Sequence, residues 1–400
     1  YIDEALTYNL SGKMEHDSTT QRDLLTCQHK LTEFPGLQQQ VVLFGGSLKS
    51  GLGLTPTSKV SCVSLVDEDY TLKGLQDVPS RLGPSFATCV WRNEVYASGG
   101  SRLFMVYRPG RGKWEPLPNM PQSREKHRMV AFNWDVHVIG GLVQGTCVGK
   151  EPSADVMVYN IKTERWVIRG RLLFPVEDCA AAVLGHRIYV FGGCGQVVQC
   201  MDTLTDQVYM AGRLPSLSYG HRAICDGGTV YVVTQGEVLK MKENYAFADE
   251  RELLTKTQDG GPLEDDTSES GQTSGDAFSD PSPTVRFEIV GTFPFRRCDF
   301  GVYLNGGELV VCGGRKDVDI LHDQLALDLK TGKMTHKQQT LMYGRAEFHA
   351  HLLYVPDEFL SESESISQGI IRFSFFPSVL TDVKSLTSKQ TTIGPSKWYL

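Results

Sequence analysis

One short phrase recurs along the chain and limits what it can fold into: a run of β-branched and aromatic residues that ends in two glycines. It stands at VVLFGG (41–46), VYASGG (95–100), VHVIGG (136–141), IYVFGG (188–193) and LVVCGG (309–314), and VYVVTQG (230–236) keeps only the second glycine. Successive second glycines are 41 to 54 residues apart, except the last two, whose 78-residue gap encloses a 35-residue acidic segment. The chain therefore contains six similar units.

The length of the unit restricts the architecture. A strand of five or six residues cannot bury itself, and four such strands with their turns use about 40 to 50 residues, the length of one propeller blade. Another β-type run and an Asn- or Gly-containing turn precede most of the glycine-pair runs, which predicts that each unit opens with a hairpin. The paired glycines permit a tight bend and a close backbone approach after the second strand.

Two of the units carry a tyrosine followed seven residues later by a tryptophan. The pairs are Tyr107 with Trp114 and Tyr159 with Trp166, and the same spacing separates Leu327 from Met334 and Met201 from Val208. A turn between the two members makes them the ends of a hairpin, so that they can pack together between blades.

The double glycine, the Tyr–Trp pair and the period near 50 together resemble the Kelch repeat, over roughly residues 41–355. The resemblance implies an all-β fold, a six-bladed Kelch β-propeller. A WD-repeat propeller is the nearest competitor, but its Gly-His to Trp-Asp order is absent. Gly185-His186 and Gly220-His221 have no downstream Trp-Asp, and Trp134-Asp135 falls in a predicted turn.

The two ends of the repeat region complement each other. The run 41–44 lacks a hairpin partner upstream, and the run 348–354 (FHAHLLY) lacks a glycine-pair strand downstream. Pairing the last run with the first completes six blades and removes two exposed sheet edges. We therefore expect the C-terminal strand to close the propeller.

Both flanks differ from the repeats. Residues 1–40 include Ile2, Leu6 and Leu10 at the spacing of a short amphipathic helix. That helix is similar to the end of the BACK domain in BTB-BACK-Kelch proteins, which implies a fragment lacking the BTB domain and most of BACK. Residues 356–400 are polar, show no repeat, and are expected to be a disordered tail.

Charge is concentrated in one segment. Residues 249–283 carry ten acidic side chains and only two basic ones, Arg251 and Lys256. The net charge of the whole chain is −7, and the net charge of the chain without this segment is about +1. The segment interrupts blade five between its third and fourth strands and is expected to be disordered, as either a solvated loop or an interaction tail. No face or run is strongly basic, so a nucleic-acid partner is not expected.

Cysteine usage and hydropathy bear on the compartment. The ten cysteines are irregularly spaced and form no CxxC pair, which favours reduced thiols and a cytoplasmic location. The longest late apolar stretch, 369–380, contains Arg372 and is well short of the roughly 20 residues of a membrane span. No membrane partner is expected.

No catalytic constellation emerges. The stretch 145–150 (GTCVGK) lacks one spacer residue of a phosphate loop and has Glu151 in place of the magnesium-binding Ser or Thr. His349 and His351 alternate on a predicted strand and could share a metal, but no third ligand stands at a suitable spacing. We expect no enzyme activity, no cofactor and no metal.

A protein-binding rim is the better candidate. The resemblance implies that the loops leading into each first strand, here called the leading loops, share one rim with the loops after the glycine pairs. Five of the six leading loops carry arginine, with Tyr or His beside it. Arg and Tyr supply forked donors and rigid contact area for an acidic peptide. The predicted site residues are Arg81, Arg124, Lys126, His127, Tyr219, His221, Arg296, Arg297, Tyr343 and Arg345.

The resemblance also implies a function. It predicts the substrate-recognition part of a BTB-Kelch adaptor for a cullin-RING E3 ubiquitin ligase, with a protein or peptide substrate at the rim. The missing BTB region would engage the cullin and make the parent protein a homodimer. Two alternatives stay open: a Kelch scaffold that binds actin or another cytoskeletal protein, and a copper enzyme of the galactose-oxidase type.

Overall fold

The computed structural model describes residues 37–50, 53–64, 70–71, 75–99, 102–145, 149–216, 219–244, 284–341, 343–356, 359, 391–393 and 396–398. Regular structure in these ranges is β-strand, apart from two single-turn 3₁₀ helices, Ser80–Leu82 and Pro109–Arg111. The helix expected near the start, the acidic segment 249–283 and most of the tail lie outside the described residues.

Six antiparallel sheets, called blades one to six, account for most of the strands; five of them have four strands and one has five. The chain begins with β1 (Leu37–Phe44), β2 (Ser47–Ser50), β3 (Gly53–Pro56), β4 (Val60–Ser64) and β5 (Tyr70–Thr71). Blade two consists of β6 (Ala87–Trp91), β7 (Glu94–Ser98), β8 (Phe104–Arg108) and β9 (Lys113–Pro116). Blade three contains β10 (Arg128–Phe132), β11 (Asp135–Ile139), β12 (Leu142–Gln144), β13 (Lys150–Asn160) and β14 (Arg165–Val176).

The later blades repeat this order. Blade four consists of β15 (Ala180–Leu184), β16 (Arg187–Phe191), β17 (Val197–Asp202) and β18 (Val208–Arg213). Blade five consists of β19 (Arg222–Asp226), β20 (Thr229–Val233), β21 (Glu237–Asn244) and β22 (Thr284–Thr292). Then come β23 (Gly301–Asn305), β24 (Glu308–Cys312), β25 (Arg315–Lys316), β26 (Asp319–Ile320), β27 (Gln324–Asp328), β28 (Met334–His336), β29 (Arg345–Ala346), β30 (His349–Pro356), β31 (Thr391–Ile393) and β32 (Ser396–Trp398).

Several short strands lie outside the main ladders of the blades. Blade six is formed by β23, β24, β27 and β28, with β25 and β26 as a separate hairpin between its second and third strands. Strands β2 and β3 form a hairpin joined by β29, and β12 pairs with the beginning of β13. These pieces follow the glycine pairs, where the sequence predicts variable loops.

The first blade joins the two ends of the repeat region. Strand β1 pairs antiparallel with β30 from Leu37↔Pro356 to Phe44↔His349, and β4 lies on the other side of β1. The pairing predicted between runs 41–44 and 348–354 is therefore present. It extends beyond the predicted limits of 41 and 355 because the ladder continues through the three glutamines at 38–40.

The first strand of each blade lies innermost. Strands β6, β10, β15, β19, β23 and β30 contact one another in this cyclic order, and β30 also contacts β6. Together they line a central cavity of about 910 Å³, called the channel. The cyclic order of contacts accords with a six-bladed propeller.

The apolar core is divided among six clusters, and each lies between two neighbouring blades. We call each such cluster a seam. At the seam between blades one and two, Phe44 packs edge-on against Tyr107 at 5.3 Å between ring centroids and against Trp114 at 5.8 Å. Since apolar burial contributes about 25 cal/mol per Å², the seams are the main source of stability.

The Tyr–Trp pairs occupy the seams as predicted. Tyr107 lies opposite Trp114 across β8 and β9, and Tyr159 lies opposite Trp166 across β13 and β14, with 5.2 Å between ring centroids in each pair. The second pair packs on Phe104 of blade two. The equally spaced Leu327/Met334 and Met201/Val208 are also cross-strand partners.

The second glycine of a pair allows the backbone of a leading loop to approach. Gly314 has φ +89°, and a Cβ built on it would lie 2.5 Å from the carbonyl oxygen of Cys298. Gly46, with φ +97°, would place a Cβ 2.5 Å from the carbonyl oxygen of Ala346. The glycine pairs and leading loops therefore meet at the same end of the blades, which we call the mouth of the channel.

Removing β30 tests the pairing of the two ends. We expect that deletion of residues 346–400 abolishes a cooperative thermal transition, because β1 loses its partner and two seams lose Phe348, Leu353 and Val355, all at most 1% exposed. Circular dichroism melting with size-exclusion chromatography measures this. A chain ending at residue 359 is the control, and a monomeric 1–345 chain with unchanged melting would contradict the expectation.

Candidate functional site

Five of the ten predicted site residues are exposed at the mouth: Arg81, Lys126, Tyr219, Arg296 and Tyr343. They lie in the leading loops of blades two, three, five, six and one. Tyr219 is 67% exposed and Tyr343 is 55% exposed, which is unusual for large aromatic side chains and leaves both rings available for contact.

Two of these exposed residues are connected across neighbouring blades. The guanidinium of Arg296 donates to Oε1 of Gln235 at 2.7 Å, and Nε2 of Gln235 donates to the carbonyl oxygen of Tyr219 at 3.4 Å. Gln235 belongs to the loop after the second strand of blade five. The link holds the leading loops of blades five and six together while the ring of Tyr219 faces solvent.

On the other side of the mouth, the leading loops of blades three and four are joined in a similar way. Nζ of Lys126 lies 3.7 Å from a carboxylate oxygen of Glu177, and the amide of Asp178 donates to the carbonyl oxygen of Lys126 at 2.9 Å. The ion pair is exposed, so it contributes little to stability. It leaves a mixed-charge surface beside the channel.

Three of the predicted binding arginines are buried in the scaffold, unlike the five exposed residues. Arg124, Arg297 and Arg345 are 1%, 1% and 5% exposed. Each stands four residues before the first residue of an inner strand and turns inward. A leading-loop arginine can face outward or inward, and here the neighbouring carbonyl oxygens draw it in.

Their hydrogen bonds show what they do. Arg124 donates to the carbonyl oxygens of Gly140 at 2.6 Å and Asp155 at 3.0 Å. Arg297 donates to the carbonyl oxygen of Gly313 at 3.0 Å and to the carboxylate of Asp323 at 2.6 Å. The first glycine of a pair turns its carbonyl inward, and in these two blades arginine satisfies it.

Arg345 has a comparable role in blade one. It donates to Oγ of Ser61 at 2.9 Å and to the carbonyl oxygen of Lys59 at 2.7 Å, so it connects the last leading loop to β4. Burial lowers the pKa of its guanidinium to about 10, and the side chain stays charged at neutral pH. These contacts tie the C-terminal end of the repeats to the N-terminal end.

The two predicted histidines are also buried. His127 is 4% exposed and its Nε2 lies 2.6 Å from Oγ of Ser98 in blade two, whereas His221 is 1% exposed. Burial is the main reason that the pKa of His127 is lowered to about 3. The positive charges of Arg124 and Arg128 contribute to the same shift. Burial lowers the pKa of His221 to about 4. Both imidazoles are neutral packing groups.

The list of predicted site residues omits three basic residues at the mouth. Arg128, Arg222 and His349 are the first residues of β10, β19 and β30, and all three line the channel. The equivalent first residues of the other three blades are small: Ala87, Ala180 and Gly301. Basic and small residues therefore alternate around the ring, a signal that becomes visible only when the six inner strands are aligned.

His349 and His351 each contact blade two through Nε2. Their rings stack with 6.5 Å between centroids, and Nε2 of His349 lies 2.8 Å from the carbonyl oxygen of Phe86 and Nε2 of His351 lies 2.7 Å from Oγ1 of Thr88. Both histidines thus connect blade one to blade two. Within the described ranges, no group of three or more His, Cys, Asp or Glu side chains is placed to hold a metal ion.

Two further findings concern the described residues as a set. Their eight cysteines are all free thiols, among them the buried Cys62 and Cys312. In the same part of the chain, no helix has the length and apolar character required to cross a bilayer.

The inward arginines predict an effect on stability. Replacing Arg124 with Ala should lower the free energy of unfolding by about 2 to 3 kcal/mol, because two buried carbonyl oxygens lose a charged donor. Urea unfolding followed by tryptophan fluorescence measures it. Arg296→Ala, at an exposed position, should change stability by no more than about 0.5 kcal/mol. Equal effects of the two replacements would contradict the inward assignment.

The buried histidines predict acid sensitivity. Burial holds the pKa of His127 at about 3 and those of His137 and His221 at about 4, below the roughly 6.5 of an unfolded chain. Between about pH 6.5 and 4 the unfolded chain binds protons that the folded chain does not, so stability falls as the pH falls through this window. The slope is up to about 1.4 kcal/mol per pH unit for each histidine.

Urea unfolding at pH 7.5, 6.0 and 5.0 tests this sensitivity. His221→Gln should reduce the slope between pH 6.0 and 5.0 by one histidine's share. Identical slopes in His221→Gln and the parent chain would contradict the assignment.

Comparison with known proteins places this geometry in context. No family model matches the chain. It is 28% identical to mouse Kelch-like protein 35 over 209 residues, which are 50% of this chain and 35% of that protein. It is 26% identical over 329 residues to Kelch domain-containing protein 10 of Xenopus tropicalis, covering 72% of each chain.

The name of a third relative mentions a further domain, the BTB domain. The chain is 26% identical over 102 residues to human Kelch repeat and BTB domain-containing protein 7, covering 25% of this chain and 15% of that protein. The chain thus spans only about a third of the length of the Kelch-like protein 35 it matches. In its six repeated units and antiparallel blades, the chain is similar to these Kelch proteins.

Proposed function

We propose that this chain is the substrate-recognition part of a BTB-Kelch adaptor that brings a protein to a cullin-RING ubiquitin ligase. The observation that carries the binding part of the proposal is the pair of exposed tyrosines, Tyr219 and Tyr343, on either side of Arg296 at the mouth. Their leading loops belong to blades five, one and six, which are consecutive around the ring. Tyr and Arg are the side chains that most often dominate binding energy.

The scaffold suits recognition. Blade cores are packed in the seams, whereas the residues at the mouth belong to loops whose sequences can change without disturbing the β-ladders. Within the described residues, the exposed groups at the mouth include no cluster of metal ligands. The function we propose is therefore binding of a protein segment without chemistry on it.

The ligase part of the proposal rests on similarity. Relatives include Kelch-like proteins and a protein named for both Kelch repeats and a BTB domain. In such an adaptor the BTB region would engage the cullin and form a homodimer. Free thiols at every described cysteine support the reducing cytoplasm as its location.

Affinity capture tests both parts separately. The full-length parent protein is compared with the triple variant Tyr219→Ala, Arg296→Ala, Tyr343→Ala and with a control triple at exposed positions of the outer strand β14, Arg165→Ala, Ile168→Ala, Arg171→Ala. We expect partners captured by the parent and the control to be lost, at least tenfold, in the mouth variant.

The same affinity capture also shows whether a cullin is bound. It should be retained by the mouth variant, because the proposed cullin contact lies outside the propeller. Retention of every partner by the mouth variant would contradict the binding site. Absence of any cullin, with actin filaments as the partner lost on mutation, would replace the ligase role by that of a cytoskeletal scaffold.

A further inference from the structure

The mouth of the channel contains three basic side chains that neither the predicted rim nor the proposed adaptor role uses. Arg128, Arg222 and His349 occupy the same position in blades three, five and one, so they are spaced at every second blade around one level of the channel. The small residues Ala87, Ala180 and Gly301 stand at this level in the blades between them. The alternation leaves open space among the basic groups.

Backbone carbonyls hold the two guanidinium groups without neutralising them. Nε of Arg128 donates to the carbonyl oxygen of Cys179 at 2.8 Å, across the seam between blades three and four. One terminal nitrogen of Arg222 donates to the carbonyl oxygens of His221 at 3.1 Å and Gly220 at 3.4 Å. Each guanidinium has further N–H donors beyond those used in these bonds.

Neither charge has a carboxylate partner at ion-pair distance among the described residues. Asp299, one of the two acids whose field reaches Arg222, is already engaged by Arg315. The other is Asp178, at the mouth. Burial lowers the pKa of Arg222 to about 10, and the charge of Arg128 lowers it in the same direction. Arg128 and Arg222 are thus two half-buried cations that repel each other beside a cavity. An anion bound between them would offset this repulsion.

We propose that the mouth of the channel binds a small oxyanion of the size of phosphate between Arg128 and Arg222. Both side chains line the cavity of about 910 Å³, which has room for the anion and its water. Arginine matches phosphate and carboxylate oxygens with paired N–H donors. The inference does not rest on the proposed adaptor role, since it concerns residues that the exposed rim does not include.

His349 extends the site and supplies a signature of occupancy. The carbonyl oxygen of Phe86 can only accept a hydrogen bond, so Nε2 of His349 carries a proton and the neutral ring has none on Nδ1. Burial holds the pKa of His349 well below its ordinary value, and Arg222, His351 and Arg128 add to the effect. A bound anion offsets the two arginines and raises that pKa.

Isothermal titration calorimetry with sodium phosphate tests the site at pH 7.5 and constant ionic strength. We expect saturable binding of one phosphate per parent chain. Arg128→Gln and Arg222→Gln should each weaken it at least tenfold, or by about 1.4 kcal/mol or more, because each loses charge-assisted hydrogen bonds to the anion. Arg171→Gln on the outer strand, where the side chain is 77% exposed, is the matched control and should bind as the parent does.

A measurement on the parent chain guards against variants that fold poorly. The imidazole resonances of His349, assigned by their loss in His349→Gln, should move with phosphate, while those of the exposed His336 should not. A parallel titration with acetate shows whether the site distinguishes phosphate from a carboxylate. Binding of both anions extends the proposed class of ligands to carboxylates. Absence of saturable phosphate binding, or equal affinity in the parent and both channel variants, overturns the proposal.

Discussion

Apolar contact between neighbouring blades is the interaction on which the whole molecule depends. A four-stranded sheet of this size exposes apolar side chains on both faces, so none of the blades has a core of its own. Each seam draws residues from two blades, as when Phe44 of blade one meets Tyr107 and Trp114 of blade two. A blade is therefore stable only between two neighbours, and the last blade needs the first.

This dependence explains why polar groups are also found inside. The tight turns after β11 and β24 leave the carbonyl oxygens of Gly140 and Gly313 buried behind the leading loops. Arg124 and Arg297 supply the missing donors, and His349 does the same for the carbonyl oxygen of Phe86. An unpaired carbonyl at such a place costs free energy comparable to a lost hydrogen bond. The basic residues of the mouth thus divide into those that complete the scaffold and those that face the cavity or solvent.

Much of the fold could be predicted from the sequence because its signals are local. Glycine pairs, hairpin turns and the Tyr–Trp spacing indicate strands and their pairing within a blade, and the predicted partners Tyr107 and Trp114 lie opposite each other. The complementary ends even indicate the pairing of β1 with β30. The site was harder to predict. Whether an arginine such as Arg297 turns inward depends on a carbonyl oxygen 16 positions along the chain, and no local pattern encodes that choice.

The antiparallel register of β1 and β30 has a consequence for where the ends of this ladder lie. Phe44 and His349 lie at the mouth, so Leu37 and Pro356, their counterparts at the far end of the ladder, lie side by side on the opposite face. Asn244 and Thr284, which flank the acidic segment, also pair far from the mouth. All four residues therefore lie at the end of the blades away from the mouth. The proposed binding surface at the mouth and these chain positions therefore lie at opposite ends of the blades.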